Sequence, residues 1–146
     1  MLEMFKPNFE FIPKFKAWVF EENKMVDVIS ISLDRKFIYF EEEFEKDAIL
    51  RTLPFEDIVL LQYTNRLDKN KKEIYAGDII KLDRRCIKNI YKGYDYGYVQ
   101  FNKYWSGFDI YIPEKDMCIE LDLSYEKYFE IVGNIFENEE VLNNEN

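Results

Sequence analysis

The sequence predicts a mainly β protein, α+β at most, and three observations carry that expectation. Apolar residues recur at period two along much of the chain, which sends one face of each strand into a core. The runs are short and separated by turn-prone breaks, a spacing that suits a small barrel or strongly bent sheets. The composition is 47% hydrophobic and 18% aromatic, with 13 Phe and 11 Tyr in 146 residues, which excludes disorder for most of the chain. A chain of this length buries roughly 70% of the surface that its extended form exposes. That suffices for one domain, or two small lobes sharing a core, without cross-links.

The elements follow in order. Phe15, Ala17 and Val19 alternate with Lys14, Lys16 and Trp18, and Ile29, Ile31 and Leu33 alternate with Ser30 and Ser32. After the turn-like Asp34-Arg35-Lys36, residues 37–40 (Phe-Ile-Tyr-Phe) form a short β-prone run. Glu41 to Asp47 is acidic and reads as a loop or a short helix. Pro54 punctuates the chain before residues 57–63, a strand buried on both faces. Residues 64–73 read as a polar turn, and residues 75–82 as the next strand, with Gly77 where the backbone bends. Further strands are expected at 97–101, 108–112, 119–123 and 129–135. Ser124 is placed to cap a single helical turn through Tyr128. The polar end, 139–146, is expected to fray or form one loose turn.

The exclusions are chemical. There is no His, which removes His-activated nucleophiles and His-ligated metals. Cys86 and Cys118 are too few for a four-cysteine zinc site, and their spacing matches no redox motif. Asp78, Asp83 and Asp95, and the run Glu41-Glu42-Glu43, offer carboxylates but come without a Gly-rich phosphate cradle. Asp78 is expected to bond backbone amides at the Gly77 bend. No catalytic residue, cofactor or metal ligand is assigned, and the expectation is that the protein is not an enzyme. No apolar run approaches the roughly 20 residues of a membrane span, and the opening residues lack the signal-peptide pattern. Two lone, reduced thiols complete a cytoplasmic reading with no membrane partner.

Charge is unevenly placed. The net −9 divides into −5 over residues 1–58, +4 over 59–109 and −8 over 110–146. The acidic whole disfavours unspecific polyanion binding, and the basic middle leaves a local exception. Within it, segment 84–105 interleaves aromatics with Arg84, Arg85, Lys88 and Lys92. Three readings are open. Tyr94, Tyr96 and Tyr98 form one wall of a barrel strand and loop, or the segment is a protein interface rich in hot-spot residue types, or it is a base-stacking surface with Tyr94, Tyr96 and Trp105 as the stacking candidates. Trp105 could equally be a core aromatic, and in its polar loop is the better interface candidate. The acidic end supplies a second candidate surface in Glu137, Glu139 and Glu140, whose simplest use is solubility.

Three segments carry a family resemblance. Lys14-Phe15-Lys16-Ala17-Trp18 with Lys24-Met25, residues 62–81 (QYTNRLDKNKKEIYAGDIIK) and residues 130–142 (EIVGNIFENEEVL) lie in the expected order along nearly the whole chain. Together they resemble the YopX family of phage and prophage proteins. The sequence departs from the family pattern at Asn65, Lys71 and Ala76, where Gly, Gly and Glu are usual. Asn tolerates a left-handed turn backbone well, Lys less so.

The resemblance implies a β-rich N-terminal lobe over 1–58, a connecting strand and turn over 59–73, a compact SH3-like β-barrel lobe over 74–138 and a polar tail over 139–146. It implies no enzymatic activity. The expected function is therefore that of a non-catalytic phage accessory protein in the cytoplasm of a bacterial host. It would act by binding a host protein or nucleoprotein complex, and a homo-oligomer is compatible with this. One specific form is an antagonist of bacterial defence, anti-CRISPR-like, whose acidic surface stands in for nucleic acid. The alternative is a nucleic-acid-binding regulator that uses segment 84–105.

Overall fold

The computed structural model of the chain describes residues 10–143, which form twelve strands. These are β1 (Phe15–Val19), β2 (Lys24–Asp27), β3 (Ser30–Ser32), β4 (Phe37–Phe44), β5 (Asp47–Pro54), β6 (Ile58–Leu67), β7 (Glu73–Tyr75), β8 (Asp78–Asp83), β9 (Tyr94–Asn102), β10 (Gly107–Ile112), β11 (Met117–Glu120) and β12 (Phe129–Asn134). They make three antiparallel sheets with orders β2-β1-β6-β7, β3-β4-β5 and β11-β10-β9-β8-β12. In the third sheet β8 to β11 meander, a 3₁₀ turn at Leu123–Tyr128 reverses the chain, and β12 returns to pair with β8. The sheet is curled into a half-barrel. The molecule is mainly β, as its periodicity predicts.

Alternation decides which side chains meet. Ala17 and Val19 of β1 pack with Ile38, Phe40 and Ile58 in one core. Ile80, Leu82, Val99, Ile110, Ile112 and Phe129 fill the barrel, joined by Ile74. Thus β7 pairs with β6 in the first sheet while its central side chain lies in the barrel core. The opposite face of β1 is covered at Trp18. Trp18 is buried there and stacks on Phe136 at 5.3 Å, so the first strand is covered by the segment that follows the last.

Several local expectations are corrected. Glu41 to Phe44 is neither loop nor helix; it continues β4, and the turn is only Glu45-Lys46, with Glu45 at φ 57°. The acidic residues tolerate this because Glu42 finds Lys24 and Arg51 on its face of the ribbon. β5 was not expected, since Ala48-Ile49-Leu50 gives no alternation to read. Strand β6 runs on to Leu67, which shortens the polar turn to residues 68–72. The fourth barrel strand ends at Glu120 rather than continuing to 123. The turn that follows is capped by Asp122, which accepts from the Ser124 amide at 2.8 Å and its hydroxyl at 2.7 Å.

Asp68 anchors the turn between β6 and β7. It is fully buried and accepts from the amides of Asn70 (2.8 Å), Lys72 (3.0 Å) and Ile131 (3.1 Å), tying the turn to β12. A carboxylate bonded to amides stabilises more than a neutral acceptor does. At the next bend Asp78 accepts a single bond, from the Tyr75 amide at 2.8 Å, beside Gly77 at φ 89°.

Candidate functional site

The basic segment at 84–105 begins where β8 ends. Asp83 caps the 3₁₀ turn Arg84–Cys86 and holds the Arg85 guanidinium at 2.6 to 3.0 Å. Arg84 reaches back to Asp95 at 3.0 Å, and Lys115 reaches the other Asp95 oxygen at 2.9 Å. Asp95 faces the barrel interior at 2% exposure, so these two cations neutralise a buried charge. Lys88 and Lys92 remain exposed, with the Lys88 ammonium 5.9 Å from the Tyr91 ring. Of the four expected contact cations, two are committed within the chain.

The aromatics divide by parity. Asp95, Gly97 and Val99 point inward on β9, so Tyr94, Tyr96 and Tyr98 share its outer face. Lys81 lies 4.3 Å over the Tyr94 ring, and Tyr98 meets Tyr111 edge-on at 5.7 Å. Gly97 is required where it stands, because a Cβ there would lie 2.5 Å from the Tyr111 carbonyl oxygen.

The β9–β10 hairpin is organised by a residue that the sequence did not single out. Asp109 is 1% exposed and accepts from Asn102 (2.7 Å), Gln100 (3.0 Å) and the Trp105 indole (3.2 Å). This lays Trp105 over Gly107, where any Cβ would collide with the ring. Beside it Tyr104 is 90% and Phe101 57% exposed. Tyr98, Phe101, Tyr104 and Tyr111 line a groove of about 490 Å³ on the barrel wall, floored by Gln100 and Cys118. In the sequence Phe101 and Tyr104 stand only among the aromatics of segment 84–105, and Asp109 and Tyr111 only within the expected strand at 108–112.

A family model described as YopX protein matches residues 14–143, nearly all of the chain. The chain belongs to the YopX family. Among solved structures, a crystal structure of protein EF1440 from Enterococcus faecalis is similar at a TM-score of 0.61 and 24% identity. The match covers 91% of this chain and 99% of that one, and it concerns the fold alone. No curated protein matches.

In this YopX-family protein, the three segments that carry the resemblance converge on a groove of about 740 Å³. Lys14 just before β1, Lys16 of β1, Glu73, Tyr75 and Asp78 from the central segment, and Ile131 from β12 line it. Two of its cations are engaged within it: Lys14 holds Glu73 at 2.8 Å and the Lys16 ammonium lies 4.6 Å over Tyr75. Burial pushes the Asp78 carboxyl up to about 6 and the Tyr75 phenol up to about 12. Asn65 and Lys71, where the family has Gly, both adopt left-handed backbone, at φ 61° and 65°. Asn65 also exchanges two hydrogen bonds with the Ile12 backbone. This groove is the seam where the sheets meet.

The acidic candidates lie elsewhere. Glu137, Glu139 and Glu140 are exposed, and the 3₁₀ turn Glu139–Asn143 packs against β9 and the turn Pro113–Lys115. Burial pushes the Cys86 thiol up to about 11, and burial with Asp109 nearby raises Cys118, so neither is an activated nucleophile. Among the described residues no three His, Cys, Asp or Glu side chains are grouped to hold a metal ion, and no helix is long and apolar enough to cross a membrane.

Proposed function

We propose that this YopX-family protein is a non-catalytic phage accessory protein that binds a host protein or nucleoprotein complex through the barrel wall around Tyr104. One observation carries the reading: Arg84 and Arg85 are tied to Asp95 and Asp83 while Tyr104, Phe101 and Trp105 stay exposed on a braced hairpin. A nucleic-acid surface needs free cations for phosphates. A protein hot spot needs rigid, amphipathic aromatics that lose little entropy on contact. The balance at this wall favours a protein partner over the alternative of a nucleic-acid regulator. Antagonism of a host defence complex, anti-CRISPR-like, is the specific form that the net charge of −9 supports. In that form the unpaired Glu137, Glu139 and Glu140 would occupy sites meant for phosphates.

The test is affinity capture from nuclease-treated host lysate with the full chain and two variants. Phe101→Ala with Tyr104→Ala is expected to weaken retention of the captured protein at least about tenfold, since hot-spot truncations cost about 2 kcal/mol or more. Reversal of Glu137, Glu139 and Glu140 to Lys is expected to weaken it further if the acidic patch mimics nucleic acid. Neither change should alter the melting temperature appreciably. Retention unchanged by the aromatic pair would remove the barrel wall from the contact.

A further inference from the structure

Six strands lie at sheet ends: β2, β3, β5, β7, β11 and β12. Soluble proteins keep such edges short, bulged or covered because open backbone groups invite another strand. β2, β3, β7 and β11 have three or four residues, and β12 is bulged between Ile131 and Gly133. β5 departs from this pattern. It has eight residues, pairs with β4 without a register shift, and carries its Pro only at the last position. Asp47, Ala48, Ile49 and Leu50 are exposed in succession, with Ile49 at 46% and Leu50 at 59%.

The direction of its open groups is fixed. The Phe55 amide donates to the Lys36 carbonyl at 2.9 Å, which sets the alternation of the ladder. Bonds to β4 then fall on Asp47, Ile49, Arg51 and Leu53. The Tyr39 carbonyl accordingly faces β3, accepting from Ile29 at 2.8 Å. The amides and carbonyls of Ala48, Leu50 and Thr52 are left along the free edge.

We propose that this edge pairs with the same edge of a second copy, antiparallel, about a two-fold axis through Ile49. An isologous contact must be self-complementary, and Asp47-Ala48-Ile49-Leu50-Arg51 is. In that register Ala48 and Leu50 exchange backbone bonds with Leu50 and Ala48 of the other copy, small side chain against large. On the opposite face Ile49 meets Ile49, and Asp47 stands across from Arg51 at both ends. The guanidinium is ordered in advance, held by Glu22 at 2.6 Å and Glu42 at 2.9 Å. A centre on Leu50 would set Ile49 against Arg51 and Asp47 against Leu53. A centre on Arg51 would set like charges together. The partner is therefore a second copy in one register. β5 belongs to a different sheet from the Tyr104 groove, so either assignment can fail without the other.

Sedimentation velocity of the full chain from about 1 μM to about 100 μM tests the pairing. A concentration-dependent dimer is expected. Leu50→Pro removes an outward amide without a bond to β4, and it should yield a monomer with an unchanged circular dichroism spectrum. Asp47→Arg should also prevent self-pairing, as should Arg51→Asp, whereas an equimolar mixture of the two chains should associate again. In the dimer, hydrogen exchange at Ala48 and Leu50 should slow at least tenfold as concentration rises. A chain that stays monomeric throughout, or a dimer that survives Leu50→Pro and Asp47→Arg, overturns the proposal.

Discussion

Asp78 shows how a single side chain couples packing to pH. Burial raises its carboxyl from an ordinary value of 3.8 to about 6, against the Tyr75 amide and Lys16, which pull it down. Between those values the folded chain holds a proton that the unfolded chain has released. Its contribution is therefore complete below about pH 4 and lost as pH rises through about 6. Asp78→Asn keeps an acceptor for the Tyr75 amide without the buried charge. It should stabilise the protein by on the order of 2 kcal/mol at about pH 8 and change little at about pH 4. Urea titrations at both pH values check this; a loss at pH 8, or an equal gain at both, contradicts it.

At the scale of an element, the β9–β10 hairpin is built around one buried acceptor. Asp109 holds Gln100, Asn102 and Trp105 together with no cation among its partners. The proposed contact through Tyr104 and Phe101 rests on the rigidity of this node. Asp109→Asn turns a donor toward donors and should cost about 2–4 kcal/mol. In a Trp18→Phe background, the Trp105 emission should shift red as the indole is released. Unchanged emission and melting temperature would mean that packing over Gly107 alone positions the ring.

For the whole molecule, charge placement separates cations that hold the fold from cations available to a partner. Arg84 balances the buried Asp95 jointly with Lys115. Arg84→Ala should lower stability by about 3 kcal/mol, because it leaves a buried carboxylate under-paired. The intact protein should show no measurable affinity for mixed-sequence single- or double-stranded nucleic acid at about physiological ionic strength, where unspecific binders reach about 10⁻⁴–10⁻⁶ M. Fluorescence anisotropy with labelled oligonucleotides reads this directly. Low-micromolar binding that weakens steeply with salt, and that is lost when the exposed Lys88 and Lys92 are both changed to Ala, would return the basic segment to the nucleic-acid reading.

By itself the amino-acid sequence determined the β class and the Asp78 bond beside Gly77, because each depends on residues close in the chain. Three motifs in order along the chain carried the family. That Lys71 as well as Asn65 takes the left-handed backbone only the structure decided. Period two survives wherever one face is apolar, so β1 and the barrel strands were legible. β5 and the acidic half of β4 were not, because their pattern makes sense only when Glu42 meets Arg51 across the ribbon and Lys24 from β2. Segment 84–105 displayed its charges and rings but not their commitments. That Arg84 is spent on Asp95, that Trp105 lies down on Asp109 and that Tyr104 stays free follow from contacts between neighbouring strands. Strand register fixes such contacts, and register arises from packing the folded sheet rather than from any local run of residues.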